Sequence, residues 1–201
     1  MNQNHKEFEN KSVVVTGAAA GMGSKITERF LEQGAIVVAV DLNENALIDL
    51  KEGIKQKYGN EAAKRLICYH GDVSKQNVNE TMIDKAIAQT GTIDILVNNA
   101  GIAGHSETII DTTNDDWDRI IDVNLKGPMF AIRAAVAKMI SQPQGGNIVT
   151  IASVAGIKGC RSSVAYGVAI QEYHWLHLQR QKDITFMYLW SRDAHRNESV
   201  F

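Results

Sequence analysis

The residues best suited to hold a charged ligand lie in residues 16–23, where three glycines separate a run of valines from a helical pattern. Glycine lets the backbone approach a pyrophosphate closely, and a helix N-terminus offers free N–H groups and the positive end of its dipole. The alternative is a tight strand-to-helix turn that binds nothing. Because a strand precedes the segment and a helix follows it, we expect a dinucleotide site. The residues expected to bind the dinucleotide here are Thr16, Gly17, Gly21, Met22 and Gly23.

Asp41 ends the second predicted strand, 18 residues after Gly23. A carboxylate at this position can accept hydrogen bonds from both hydroxyls of an adenosine ribose and would repel a 2′-phosphate. The alternative is a solvated acid at the end of a strand. Neighbouring Ala20 and Leu42 supply no cation for a 2′-phosphate. The sequence therefore predicts NAD(H) rather than NADP(H) as the cofactor, with Asp41 and Leu42 in its binding site.

The elements that would position these residues alternate short β-branched runs with longer helical patterns, as in stacked βαβ units. The runs lack polar alternation, which favours a parallel sheet covered on both faces. We therefore expect an α/β fold, a doubly wound Rossmann-type sheet with the ligand across the carboxyl ends of its strands. The predicted strands are Ser12–Thr16, Ile36–Asp41, Leu66–His70, 93–97 and 147–151. The predicted helices are 22–33, 43–58, 75–89 with Ser74 as its cap, and 115–139.

The glycine spacing, Gly17-x3-Gly21-x-Gly23, resembles that of the short-chain dehydrogenase/reductase family, and further blocks match in order over residues 11–167. The pair Asp72-Val73, after the third predicted strand, resembles the pair that holds the adenine ring of the cofactor in this family. Asn-Asn-Ala-Gly at residues 98–101 resembles the motif that stabilises the central sheet beside the cofactor. The resemblance thus adds to the cofactor site Asp72, Val73, Asn99, Ala100 and Gly101.

The same resemblance implies a catalytic set and an activity, the interconversion of a secondary alcohol and a ketone. Tyr166, which stands thirteen residues after Ser153, would exchange a proton with the substrate oxygen while hydride passes to or from the nicotinamide. Ser153 would hydrogen-bond that oxygen, and Asn124 would anchor a water molecule in a proton relay. Tyr166 would also contact the cofactor. Each residue taken singly has a structural alternative. Tyr166 could be a half-buried aromatic, Ser153 a loop cap, and Asn124 a hydrogen-bonding residue inside a helix.

The chain departs from the family pattern Tyr-x-x-x-Lys, because Ile170 stands where the lysine is expected. Free tyrosine titrates with a pKa near 10, so only about one phenol in a thousand is ionised at pH 7. An isoleucine cannot lower that pKa. Lys158 and Lys182 do not stand at the helical spacing that would bring an ammonium beside Tyr166. The activity of this chain is therefore in doubt, and a catalytically silent NAD-binding protein is the alternative.

The composition also changes after Gly167, since all 16 glycines and both prolines lie in residues 1–167. We expect a dinucleotide-binding domain over 1–167 and an atypical tail over 168–201 that leaves the sheet incomplete at its C-terminal side. Read one base later, the codons for residues 170–175 permit Ser-Lys, three variable residues and glycine, which resembles the family's continuation. A frame-shifted or truncated product is one hypothesis, and a divergent C-terminal helix is the other.

Composition excludes several other classes of protein. A net charge of −2 and a pI near 6.3 argue against nucleic acid as a partner. The longest apolar run is too short to cross a membrane, and the polar start lacks a secretory signal, so we expect a cytoplasmic protein. No metal site is expected, because Cys68 and Cys160 fit no ligand spacing and His174 and His177 lack a third ligand. The family usually forms homodimers or homotetramers through two long helices, and the altered second helix makes this doubtful here.

Overall fold

Six strands form one parallel sheet in the computed structural model, which describes residues 6–104, 108–158, 163–171 and 183–191. The strands are β1 (Ser12–Thr16), β2 (Ile36–Asp41), β3 (Leu66–His70), β4 (Ile95–Asn98), β5 (Gly146–Ser153) and β6 (Ile184–Ser191). They lie in the order β3-β2-β1-β4-β5-β6. The strand order reverses between β1 and β4, where Val14 pairs with Leu96. Such a reversal opens a crevice at the carboxyl ends of the strands.

Seven α-helices cover the two faces of the described sheet. They are α1 (Gly21–Glu32), α2 (Glu44–Lys64), α3 (Gln76–Thr90), α4 (Asn114–Ile121), α5 (Gly127–Met139), α6 (Ala155–Lys158) and α7 (Val164–Gln171). No described helix is long and apolar enough to span a bilayer.

Alternate side chains of the central strands enter two separate cores, which confirms the doubly wound α/β prediction. Val13 and Val15 of β1 pack on one face with Leu31 of α1 and Leu47 of α2. Val14 points to the opposite face, into a core that also contains residues of α3 and α5. All five residues of β1 are buried, as the run of valines predicts.

Three helix predictions differ from the observed structure. The pattern over 115–139 is divided, because a π-helical turn, Asp122–Lys126, separates α4 from α5. α2 continues to Lys64, past Gly59, whose φ of 83° kinks it. The cap of α3 is Lys75 rather than Ser74. The backbone N–H of Ser74 instead donates to Asp72 Oδ1 at 2.9 Å, so this residue belongs to the turn before the helix.

β6 was not among the predicted strands, and it continues the α/β alternation into part of the tail, against our expectation. It pairs in parallel with β5, with Phe186 opposite Ile148 and Tyr188 opposite Thr150. Phe186 packs against the core on the α3 and α5 face. The segment is uncharged and rich in aromatic and β-branched residues, which favours a strand beside an apolar sheet. The division at residue 167 remains a prediction.

Candidate functional site

Two neighbouring pockets open at the carboxyl edge of the sheet and share the wall formed by residues 99–102. The first has a volume of about 380 Å³ and is lined by Gly17, Ala20, Gly21, Asp41, Leu42, Gly71, Asp72, Val73, Asn99, Ala100, Gly101, Ile102 and Val123. The second, of about 180 Å³, is further lined by Met22, Ala103, Ile151, Ala152, Tyr166 and Ile170. A separate groove of about 320 Å³ between α3 and α5 contains none of the predicted site residues.

The glycine-rich turn before α1 is built so that its backbone lies bare against the first pocket. Gly17 and Gly21 adopt φ values of +60° and +53°, which side chains rarely tolerate. A Cβ on Gly23 would lie 1.9 Å from the carbonyl oxygen of Gly17, so the turn can close only around glycine. Ala20 provides no side-chain cap for α1, and the first turn of that helix has no acidic residue. The positive end of the helix dipole is therefore free of a protein carboxylate, which suits a pyrophosphate.

Asp41 both anchors the glycine-rich turn and lines the first pocket. Its Oδ2 accepts a hydrogen bond from Ala19 N at 2.9 Å, and its Oδ1 accepts one from Asn43 N at 3.0 Å. No lysine, arginine or histidine lines the first pocket within the described part of the chain. The carboxylate thus keeps the pocket negative, which fits two ribose hydroxyls and opposes a 2′-phosphate. Its role in anchoring the glycine-rich turn was not apparent from the sequence.

Thr16 and Asn99 hold the ends of β1 and β4 together behind the pocket. Thr16 Oγ1 accepts hydrogen bonds from the backbone N–H groups of Asn99 and Ala100, at 3.0 and 3.1 Å. Asn99 Nδ2 donates to the carbonyl oxygens of Thr16 and Gly17, each at 3.0 Å. Thr16 is buried and lines neither pocket. It supports the wall rather than forming it, and the same is true of Gly23.

Asn124 lies in the π-helical turn, and its side chain is committed to the loop after β4. Its Oδ1 accepts from Ile102 N and its Nδ2 donates to Ile102 O, both at 2.8 Å. The residue is fully buried and lines neither pocket. Its side chain therefore fixes the shared wall, and the predicted part in a proton relay stays a prediction.

Ser153 and Tyr166 lie where β5 and α7 meet the second pocket. Ser153 ends β5, is 1% exposed, and its Oγ accepts from Ala155 N at 3.3 Å. Tyr166 is 8% exposed, lines the second pocket and packs with Ala152 and Ile120. Ser153 does not line the pocket. The structure therefore brings Tyr166, but not the side chain of Ser153, to the pocket wall.

Ile170 lies one helical turn after Tyr166 and lines the same pocket with only 4% of its surface exposed. No lysine lines either pocket among residues that the structure describes. Lys158 ends α6 on the exposed surface, and Lys182 lies outside the described residues. An apolar side chain thus stands one helical turn after the tyrosine, in the lining of the same pocket.

Of the remaining candidates, only Cys68 lies among the described residues. The thiol of Cys68 donates to Leu47 O at 3.4 Å, and partial burial raises its pKa. Cys160, His174 and His177 lie outside the described residues. Within the described ranges, no cluster of three histidine, cysteine or acidic residues could bind a metal.

Comparison with known proteins identifies the family of these motifs. Residues 11–169 match the family model for short chain dehydrogenase. Over 178 residues, 89% of the chain, the sequence is 36% identical to 3beta-hydroxysteroid dehydrogenase 2 of Eggerthella lenta and covers 65% of that protein. It is 33% identical over 147 residues, 73% of the chain, to a diacetyl reductase [(S)-acetoin forming] of Staphylococcus epidermidis and covers 55% of it.

The fold matches solved structures of the same kind. A short chain dehydrogenase from Mycobacterium smegmatis superposes with a TM-score of 0.82 at 28% identity, covering 94% of this chain and 79% of that one. NAD+-bound xylitol dehydrogenase gives a TM-score of 0.77 at 30% identity, covering 86% and 64%. The chain spans 55–65% of the length of the two curated relatives above.

Proposed function

The chain belongs to the short-chain dehydrogenase family, and from this premise we propose that it transfers hydride between NAD(H) and a secondary alcohol or ketone. The observation that carries the proposal is the wall of residues 99–102, which is common to both pockets. One pocket contains the carboxylate of Asp41 and the other contains Tyr166. A dinucleotide that crosses this wall would have its ribose hydroxyls at Asp41 and its reactive ring near the phenol.

NAD is the cofactor that the lining residues favour. The bare glycine backbone and the uncapped start of α1 suit the pyrophosphate, and Asp41 suits an adenosine ribose without a 2′-phosphate. Asp72 and Val73 line the same pocket, at the position that the resemblance assigns to the adenine. NAD+ is also present in the similar xylitol dehydrogenase structure.

In this proposal the nicotinamide supplies the hydride acceptor or donor, and the protein's own groups handle the proton. Tyr166 accepts the proton of the alcohol, or returns it to the ketone oxygen. Ser153 holds that oxygen by donating its hydroxyl hydrogen, while its Oγ can still accept from Ala155 N. This requires the Ser153 side chain to reach the second pocket, which it does not line. Asn124 keeps the wall in place through Ile102, and it contributes the relay only if its backbone binds water.

A second candidate, an NAD-binding protein without turnover, is favoured by Ile170. Lowering the pKa of a tyrosine from about 10 to about 7 takes roughly 4 kcal/mol of stabilisation of the phenolate. A buried isoleucine supplies none of this. The positive charge of an oxidised nicotinamide would supply part of this stabilisation.

Titration and turnover separate the two candidates. NADH fluorescence measures binding, and a panel of secondary alcohols with NAD measures oxidation, including acetoin and a 3β-hydroxysteroid because relatives bear these names. The matched control is Tyr166→Phe, which keeps the aromatic ring. Binding with turnover that Tyr166→Phe abolishes supports the enzyme. Binding without turnover supports the second candidate, and absence of binding contradicts both.

The place and assembly of the protein remain predictions. We propose that the protein is cytoplasmic, a compartment in which free cysteines stay reduced. The family's usual association into homodimers or homotetramers is doubtful for this chain, because the second of the two long helices is altered after Gly167. We expect neither nucleic acid nor a membrane as a partner.

A further inference from the structure

The residue directly before α7, Ser163, caps this helix at the tyrosine itself. Its Oγ accepts a hydrogen bond from Tyr166 N at 3.2 Å, and its carbonyl oxygen accepts one from Gly167 N at 3.1 Å. The first N–H groups of a helix have no acceptor inside it, so an N-cap side chain decides how its first turn is held. Here the N–H that the cap satisfies belongs to Tyr166, the proposed acid/base.

The same hydroxyl lies against the end of the pocket wall. A Cβ placed on Gly104 would stand 2.1 Å from Ser163 Oγ and 2.6 Å from Ser163 Cβ. Gly104 lies two residues after Ile102, where the shared wall of residues 99–102 ends, and Ser163 is only 6% exposed. The backbone of Gly104 therefore packs closely on the Ser163 hydroxyl, and a Cβ at position 104 would displace that hydroxyl.

From these two contacts we propose that Ser163 is a positioning residue for Tyr166. By capping α7 at the tyrosine and packing against Gly104, it sets the separation between the phenol and the wall over which the nicotinamide would lie. This role rests on the proposed function, because it concerns the place of Tyr166 relative to that cofactor. A displacement of about 1 Å at such a group can cost up to a hundredfold in rate.

The test compares Ser163→Ala with a second lost cap on a helix that does not carry the tyrosine. Thr113 caps α4 in the same way, with its Oγ1 accepting from Asp116 N at 3.1 Å. Both Ser163→Ala and Thr113→Ala should lower the melting temperature. Ser163→Thr keeps the hydroxyl and should behave as the unsubstituted protein does.

The deciding measurement is the ultraviolet titration of the Tyr166 phenol in the NAD+ complex, taken as the difference from Tyr166→Phe. In Ser163→Ala the apparent pKa of the phenol should rise. The reason is that the displaced phenolate would lie farther from the positive charge of the nicotinamide ring, which favours its ionised form. The rate constant kcat for alcohol oxidation should fall at least about tenfold, while NAD affinity stays within about twofold. Gly104→Ala, which displaces the same contact from the other side, should give the same shift.

The outcomes separate this inference from the proposed function. A chain that binds NAD without oxidising any alcohol would contradict the enzyme proposal, and the titration would still test Ser163. The inference is overturned if Ser163→Ala titrates as the unsubstituted protein does, or if Thr113→Ala shifts the phenol equally. It is also overturned if Ser163→Thr loses the native titration while keeping the native melting temperature.

Discussion

Asp41 shows how one carboxylate can combine local structure with ligand selection. Its two oxygens accept the N–H groups of Ala19 and Asn43, so its charge is held at the edge of the pocket rather than free in solvent. Removing it would loosen the glycine-rich turn as well as the ribose contact. A test of cofactor selection is therefore cleaner when Asp41 is kept and a cation is added beside it.

Leu42→Arg is expected to raise the affinity for NADPH about tenfold, because an arginine can pair with a 2′-phosphate while leaving Asp41 in place. Leu42 is 67% exposed and lines the first pocket, so the longer side chain has room. Fluorescence titration of NADPH and NADH measures the change. Ile48→Arg is the matched control, since Ile48 is 56% exposed but lines neither pocket. An equal gain in both variants would mean that general attraction, and not the pocket, causes it.

Ile170→Lys should lower the apparent pKa of the Tyr166 phenol, because an ammonium at the pocket wall favours the phenolate. It should also lower the melting temperature, since Ile170 is 4% exposed and a buried cation is costly. Val168→Lys is the control on the same helix, because Val168 is 38% exposed and lines neither pocket. Ultraviolet titration of the phenol, with Tyr166→Phe as the blank, measures its apparent pKa in both variants. An unchanged phenol in Ile170→Lys would show that position 170 does not face it.

At the scale of elements, the helices α1 and α2 are joined by a cluster around one carboxylate. Glu28 of α1 accepts hydrogen bonds from Lys57 Nζ and, at 2.7 Å, from Tyr58 Oη of α2. The hydrogen bond from Lys57 has the largest effect on the pKa of Glu28, and the one from Tyr58 has the next largest. Together they lower this pKa from 4.5 to about 2. A carboxyl with a lowered pKa stabilises the fold above its unfolded pKa, and that stabilisation is lost as the pH falls towards the folded value.

The expected result is that Glu28→Gln lowers the melting temperature by a constant amount above pH 5, a difference that shrinks as the pH falls from about 4.5 to about 2. Thermal unfolding followed by circular dichroism over that range measures it. Glu61→Gln is the control, because the ion pair of Glu61 with Lys64 also lowers the pKa of a carboxyl but is exposed and lies within α2. A pH-independent difference for Glu28→Gln would exclude the proposed origin of the stabilisation.

The elements also show what a sequence pattern can and cannot predict. β1, β2 and β3 have the predicted bounds, because each is an apolar run with clear flanking residues. The π-helical turn leaves no trace in the pattern, since one inserted residue barely changes a helical period. The binding residues were found from glycine and carboxylate chemistry. The hydrogen bonds between the side chain of one and the backbone of the other of Thr16 and Asn99 were not, because only the sheet brings these two residues together.

At the scale of the whole molecule, the sheet extends beyond the compositional break that the sequence displays at Gly167. β6 runs the full length of β5, and Ile184 and Phe186 take part in the core that also contains Val14 and Leu96. If the tail arose from a shifted reading frame, it nevertheless contains an apolar segment that can complete a sixth strand. Adjacent side chains of a strand point to opposite faces of the sheet. Substitutions of Phe186, which packs on the core, and of the exposed Met187 should therefore differ sharply in their effect on stability.

Phe186→Ala is expected to lower the free energy of unfolding by about 2–3 kcal/mol, somewhat less than for a fully buried phenylalanine. Met187 faces the opposite side of β6 and is 50% exposed, so Met187→Ala should change the free energy of unfolding by about 0.5 kcal/mol or less. Urea unfolding of both variants, with fluorescence and circular dichroism as independent signals, measures the difference. If both substitutions have the same small effect, the tail does not pack on the sheet in solution. In that case the packed sheet ends at β5. Tyr188 would then no longer pack against the apolar cluster that contains Tyr166.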